Sequence, residues 1–249
     1  MKIYAVTQKG PSKAENEDRI LVGSTILSGG ELCIEISAGM VAIADGVGGN
    51  NAGAVASQMV CEALASMDIP TLEALTKLNQ ALLERGRSDA ALKGMATTLS
   101  GICFSDGQMP FIFHVGNTRV YSIQAGQYLR QLTEDDTVVQ YLVKTGKLTE
   151  EEVENYPGRN EITSCMGGGQ ESLFQMKIIP LDQVGGQYLL TSDGIHESLG
   201  IDELEDALGD DGSGLESRMI KLIDLARQQG ANDDCSAMLL DCGENSGVV

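Results

Sequence analysis

The sequence predicts an α+β fold, with largely antiparallel sheets and helices packed outside them. Three observations carry this. Short runs rich in Ile, Val, Leu and Tyr recur, each bounded by Gly, Asp or Asn, as strands are. Helical stripes come in blocks between those runs and do not alternate with them one by one. Gly107 and Gly126 sit where tight turns would join neighbouring strands into meanders.

In chain order, residues 2–7 open as a strand, and 19–28 and 32–44 follow as longer apolar runs. From Gly53, the residues Val55, Ala56, Met59, Val60, Ala63, Leu64 and Met67 recur every three to four positions, which predicts a helix with one core-facing stripe. Pro70-Thr71 opens a second helix, striped by Leu72, Leu75, Leu78 and Leu82. Strands return at 97–105, 110–115 and 119–124. A third helix is predicted over about 134–145, where Asp135 and Asp136 suit the first-turn dipole and read as capping residues. Residues 146–170 break the pattern. A short helix capped by Thr149 precedes Pro157, Gly158 and the run Gly167-Gly168-Gly169, and the stretch reads as a mobile flap over a sheet edge. Strands at 174–179 and 187–192, a helix over about 215–228 and a strand at 235–241 complete the chain.

The 249 residues suit one large domain, 1–249, without linker, repeat or low-complexity tract. Hydrophobic residues make up 42% and aromatics only 4%, so the core is aliphatic. Net charge is −19, of which residues 1–125 carry −3 and residues 126–249 carry −16. Such acidity disfavours a nucleic-acid ligand, whose phosphates call for a basic face. Six cysteines without CxxC spacing read as reduced thiols. No apolar run approaches the length of a membrane span and the start lacks a signal-peptide core, so the chain reads as cytoplasmic and off the membrane. A monomer is the expected state.

The chemistry lies in carboxylates at strand ends. Ala42-Ile43-Ala44-Asp45-Gly46, Leu189-Leu190-Thr191-Ser192-Asp193-Gly194 and Asn232-Asp233-Asp234-Cys235 each place aspartate at the edge of a buried run, and Asn16-Glu17-Asp18 precedes them. Carboxylates collected from several strands make a hard-cation site of the kind that holds Mg²⁺ or Mn²⁺. Gly46 lets the backbone approach an ion and lend its carbonyl. His114, inside Phe111–Val115, reads as structural, and His196 follows Asp193 closely enough to approach such a site.

These motifs follow one another in a particular order. Asn16-Glu17-Asp18 comes first, then Asp45-Gly46-Val47-Gly48-Gly49 with Gly53, Ala56 and Ser57, then Gly94-Met95-Ala96-Thr97-Thr98. Gly116-Asn117-Thr118-Arg119, Leu132-Thr133-Glu134-Asp135-Asp136, Arg159-Asn160-Glu161, Ser192-Asp193-Gly194 and Asp233-Asp234-Cys235-Ser236 complete the series. In this order and spacing the chain resembles the metal-dependent serine/threonine protein phosphatases of the type-2C family, in their compact bacterial form, from about Thr7 to Leu240. The resemblance implies a four-layer α-β-β-α sandwich and a binuclear Mn²⁺/Mg²⁺ centre at one end. It implies that Asp45 bridges two ions, that Gly46 lends a carbonyl, and that Asp193 and Asp233 hold one ion. Glu17 and Asp18 would serve the other directly or through water. Lys13 stands where the family has a phosphate-gripping arginine, keeping the charge and losing the fork.

Several other positions depart from the family pattern. Gln8 and Asn50 replace an aspartate and a proposed acid histidine. Asn117 replaces a third-metal aspartate, which leaves a third site weak or absent, while Asp136 and Asp234 replace a histidine and an asparagine. The implied activity is hydrolysis of phosphoserine and phosphothreonine on partner proteins, opposing a serine/threonine kinase. The alternatives are a degenerate phosphoprotein-binding module and a metallophosphatase for small esters.

Overall fold

The computed structural model describes residues 1–48, 52–105, 107–153, 155–170, 173–182, 185–209 and 212–243. Gly49 and Asn50 lie outside the described residues.

Two antiparallel sheets form the centre. The first consists of β1 (Lys2–Gln8), β4 (Gly30–Glu35), β9 (Arg119–Gln124), β10 (Tyr128–Gln131), β13 (Gln187–Thr191) and β14 (Cys235–Asp241), in the order β10-β9-β13-β14-β1-β4. The second is built from β5 (Gly39–Val47), β6 (Ala96–Thr97), β7 (Leu99–Phe104), β8 (Phe111–Val115), β11 (Met166–Gly167) and β12 (Lys177–Pro180), in the order β11-β6-β5-β7-β8-β12. To it, β2 (Asp18–Val22) adds along β5, and β3 (Thr25–Leu27) along β2. Helices α1 (Ala52–Ala65) and α2 (Leu72–Ser88) cover the second sheet. The short α5 (Asp193–His196), α6 (Ile201–Leu208) and α7 (Leu215–Gln228) cover the first, while α3 (Val138–Lys144) and α4 (Glu150–Val153) lie in the connection between β10 and β11.

Side-chain alternation explains the layering. In β1, Ile3 and Ala5 face the space between the sheets, whereas Tyr4 and Val6 face α7's side. In β5, Val41 and Ile43 face between the sheets, whereas Met40, Ala42 and Ala44 pack under α1 and α2. Strands buried on both faces read as continuous apolar runs, not as alternating ones. The expected four-layer sandwich is the observed one.

The elements differ from expectation at definite places. The run 19–28 is a hairpin, β2 and β3, turned at Gly23 with φ +59°. The run 32–44 breaks after Glu35, and its halves β4 and β5 belong to different sheets. The strand expected at 97–105 is split by Thr98 into β6 and β7, and the one expected at 174–179 starts at Lys177. β10, β11, α5 and α6 were not expected. Residues 166–167, inside the stretch read as a flap, pair with β6.

The third helix begins at Val138, with Thr137 as its N-cap accepting the Gln140 N–H at 3.2 Å. Asp135 and Asp136 therefore do not cap it. Asp135 takes a two-pronged contact from Arg119, at 3.0 Å from Nε and 2.7 Å from Nη2. Asp136 takes Lys177 Nζ at 2.6 Å and the Gly116 N–H at 3.0 Å. These carboxylates found long-range cations, which outweigh a helix terminus for a mostly buried anion. The contrast is measurable by urea denaturation. Asp135→Ala should cost about 2 kcal/mol or more by stranding Arg119, whereas Thr137→Ala should cost about 1 kcal/mol, as loss of a cap does.

Candidate metal centre

One end of the sandwich gathers the expected residues. Asp18 and Asp45 sit directly opposite each other where β2 pairs with β5. On the other sheet, β13 runs out at Thr191, Ser192 still donates to the Ser236 carbonyl at 2.9 Å, and Asp193 opens α5. Asp233 precedes β14, the neighbour of β13. Two sheet ends thus deliver four aspartates from four separate segments of the chain.

Close backbone approaches make this possible. A Cβ on Gly53 would stand 2.8 Å from both the Gly46 carbonyl oxygen and Glu17 Oε1, so these two oxygens converge beside the start of α1. A Cβ on Gly194 would meet the Asp234 carbonyl at 2.0 Å, so only glycine lets α5 lie against the segment carrying Asp233. Asp45's own backbone is pinned by threonines: its carbonyl accepts from Thr98 N and from Thr97 Oγ1, each at 2.9 Å.

The electrostatics are those of crowded, buried anions. Burial, then the charges of Asp193, Asp18 and Asp233, pushes Asp45 well above the carboxylate range. Burial and Asp233 likewise raise Asp193, against hydrogen bonds from Asn117, Asp45 and the Gly194 N–H. Asp18 is pushed up to about 7, chiefly by burial and by the charges of Asp234 and Asp193, against the hydroxyls of Ser236 and Ser192. Its Oδ2 is buried with no hydrogen-bond partner. Among the described residues no three acidic, His or Cys side chains close into a tight cluster. An orphaned buried carboxylate oxygen beside three other carboxylates and a converging backbone carbonyl fits a divalent cation with hard-oxygen preference.

Neighbouring side chains complete the site. Lys13 Nζ lies 2.8 Å from Asp233 Oδ1 and 3.1 Å from Glu17 Oε2. Burial would lower its pKa, but those two carboxylates outweigh burial and raise it. Asn117, 3% exposed, donates to Asp193 Oδ2 at 3.1 Å. His114 is structural, its ring held between Ser100 Oγ at 2.8 Å and the Glu134 carbonyl at 2.9 Å. His196 turns Nδ1 to Thr191 Oγ1 at 2.8 Å, and burial lowers its pKa well below the usual value. Glu197, pushed up to about 7 by burial and then by Asp193, takes a 2.5 Å bond from Asn160 of the 146–170 segment.

Asp234 is the functional residue that sequence reasoning missed. Its two oxygens accept the Gly10 N–H at 2.7 Å and the Glu17 N–H at 2.8 Å, so one carboxylate fixes both ends of the loop that carries Lys13. The signal in the sequence was the doublet Asp233-Asp234, where only the first residue had a part.

Similarity to known proteins agrees with this geometry. The chain matches the protein phosphatase 2C family over residues 13–239 and belongs to it. It is 32% identical over 97% of its length to the serine/threonine protein phosphatase PstP of Mycobacterium tuberculosis, spanning 45% of that protein. It is 29% identical to the protein phosphatase PhpP of Streptococcus pneumoniae, over 98% of each chain. A crystal structure of the PstP catalytic domain with two manganese ions superposes with a TM-score of 0.75 at 30% identity, covering 96% of this chain and 98% of that one.

An asparagine at position 234 would offer one acceptor to two buried N–H groups. Asp234→Asn should therefore lower unfolding free energy by about 1–2 kcal/mol, read by urea denaturation without added metal. An unchanged midpoint would remove its anchoring role.

Proposed function

We propose that this chain hydrolyses phosphoserine and phosphothreonine on protein substrates, using two Mn²⁺ or Mg²⁺ ions and water as nucleophile. The observation that carries this is the convergence of Asp18, Asp45, Asp193 and Asp233, with Asp18 buried and its Oδ2 orphaned, in a chain of the phosphatase 2C family. When bound, the ions supply the Lewis acidity and water activation that carboxylates cannot. Asp45 would bridge them, the Gly46 carbonyl would hold one, and Asp193 and Asp233 would hold the other. Glu17 and Asp18 would serve the ion at the Gly46 carbonyl directly or through water. Lys13, at the mouth of this group, would orient a phosphate oxygen as a point charge. Asn117 would hold Asp193 in place through its amide, and an amide N–H aimed at that carboxylate supports a weak or absent third ion.

In the same reading residues 1–249 act as one catalytic domain, with 146–170 as a flap tied to α5 through Asn160 and Glu197. The full-length match to PhpP supports the single domain. Among the described residues no helix is long and apolar enough to cross a membrane. Monomeric action in the cytoplasm opposite a serine/threonine kinase rests on the family likeness.

The test is Mn²⁺-dependent hydrolysis of p-nitrophenyl phosphate and of a phosphothreonine peptide, with circular dichroism as fold control. Asp45→Asn, Asp193→Asn and Asp233→Asn should each lose more than about a hundredfold in turnover, beyond what second-row changes cost. A folded Asp45→Asn chain with undiminished turnover would overturn the binuclear assignment.

Asn117 has a separate test. Calorimetric titration with Mn²⁺ should give two sites in the native chain, and Asn117→Asp should add a third and raise phosphopeptide turnover relative to p-nitrophenyl phosphate. Three sites in the native chain would contradict the role assigned to the amide.

A further inference from the structure

In this acidic chain of 17 Lys and Arg residues, many cations are matched to carboxylates. Seven Lys or Arg side chains form ion pairs among the described residues. Arg87, at the end of α2, and Lys93, in the turn after it, are both exposed, and neither side chain has a partner among the described residues. Both line one cavity of about 450 Å³. Leu82, Leu83 and Met95 form its buried apolar floor, and Gly169 closes its far side. The nearest carboxylates are otherwise placed. Asp89 is tied to Arg85 and to the Ala91 N–H, and Glu84 does not line the cavity.

The chain leads directly from the cavity to the catalytic end. From Lys93 the chain passes through Gly94 and Met95 into β6, where Ala96 pairs with Val47 and Thr97 with Gly46. Four Cα-to-Cα steps take the chain from Lys93 to Thr97, a span of at most about 14 Å. Val47 and Val55, each 37% exposed, give this rim an apolar surface beside Gly46 and Gly53. A peptide whose phosphoresidue lies at the carboxylate group and whose backbone follows this rim reaches the cavity with a residue about three to five positions away, at about 3.3 Å per residue.

We propose that this groove docks Asp or Glu side chains of the protein substrate, three to five positions from the phosphoresidue, against Arg87 and Lys93. The inference rests on the phosphatase reading and names its substrate class. The net charge of −19 repels an acidic peptide at long range. A local pair of unmatched cations on an apolar floor reverses that repulsion at one place, which makes it a source of selectivity.

The experiment uses the full chain with Mn²⁺ and three substrates. These are p-nitrophenyl phosphate, a phosphothreonine peptide with Glu three to five positions away on both sides, and the same peptide with Ser there. The native chain should favour the acidic peptide in kcat/KM by about fivefold, the combined size of two exposed charge contacts. The preference should fade as ionic strength rises from about 10 mM to about 500 mM. The double variant Arg87→Glu, Lys93→Glu should erase or invert it while leaving p-nitrophenyl phosphate turnover unchanged. Equal kcat/KM for both peptides, or a preference that survives the double variant, overturns the proposal. Fluorescence anisotropy with labelled, non-hydrolysable phosphonate versions of the two peptides reads the groove apart from catalysis. Acidic-peptide binding lost in the double variant supports the groove even without hydrolysis, and unchanged binding overturns it. Absence of p-nitrophenyl phosphate turnover speaks against the phosphatase reading alone.

Discussion

The structure depends on holding like charges together out of water. Asp18 is buried and Asp45 and Asp193 only partly exposed, and the charge of Asp193 raises the pKa of both Asp18 and Asp45, an arrangement that costs free energy in the protein by itself. Everything around them works to keep them there. The register of β2 on β5 sets Asp18 opposite Asp45. Thr97 and Thr98 pin Asp45's backbone, Asn117 holds Asp193, and Asp234 clamps both ends of the loop from Gly10 to Glu17. Ser57 of α1 adds a hydrogen bond to the Glu17 carbonyl. Both sheets, the first helix and the loop before β2 are thereby committed to one end of the molecule.

That dependence explains what could be read from the chain. The strands were legible because three layers of core bury both faces of the central ones, leaving apolar runs such as Met40–Ala44 and Cys235–Leu240. What such runs do not reveal is where the chain changes sheet. The step from β4 to β5 spans residues 36–38 and carries no proline, and the only cue is a short interruption of apolar character. β11 has two residues and is a strand solely because Met166 and Gly167 meet Thr97 and Ala96. Its existence is a tertiary fact with no local signal. Asp135 and Asp136 show the same limit: their sequence position suits a helix start, and only the fold brings Arg119 and Lys177 to them.

The candidate site was more legible than the fold boundaries. Acidic turns at the ends of buried strands carry their meaning locally, because a carboxylate there has few structural uses. Asp234 was missed for the converse reason. Its role is to accept two N–H groups from a loop more than 200 residues earlier in the chain, and the sequence shows only a second acid beside the first. Lys13 was legible as a cation near phosphate. Its position between Glu17 and Asp233 shows that the same ammonium also offsets the crowding of carboxylates.

The uneven charge of the chain acquires a reason at this level. Residues 126–249 carry −16 and residues 1–125 carry −3, yet the carboxylate group draws on both, with Glu17, Asp18 and Asp45 from the first part and Asp193 and Asp233 from the second. Lys13, Arg87 and Lys93 all come from the first part. All three thus belong to the part of the sequence with the smaller excess of acid. Arg119 and Lys177 are consumed internally by Asp135 and Asp136. Arg87 and Lys93 differ from them in lining a cavity from which the chain leads straight into β6, beside the carbonyl end of β5.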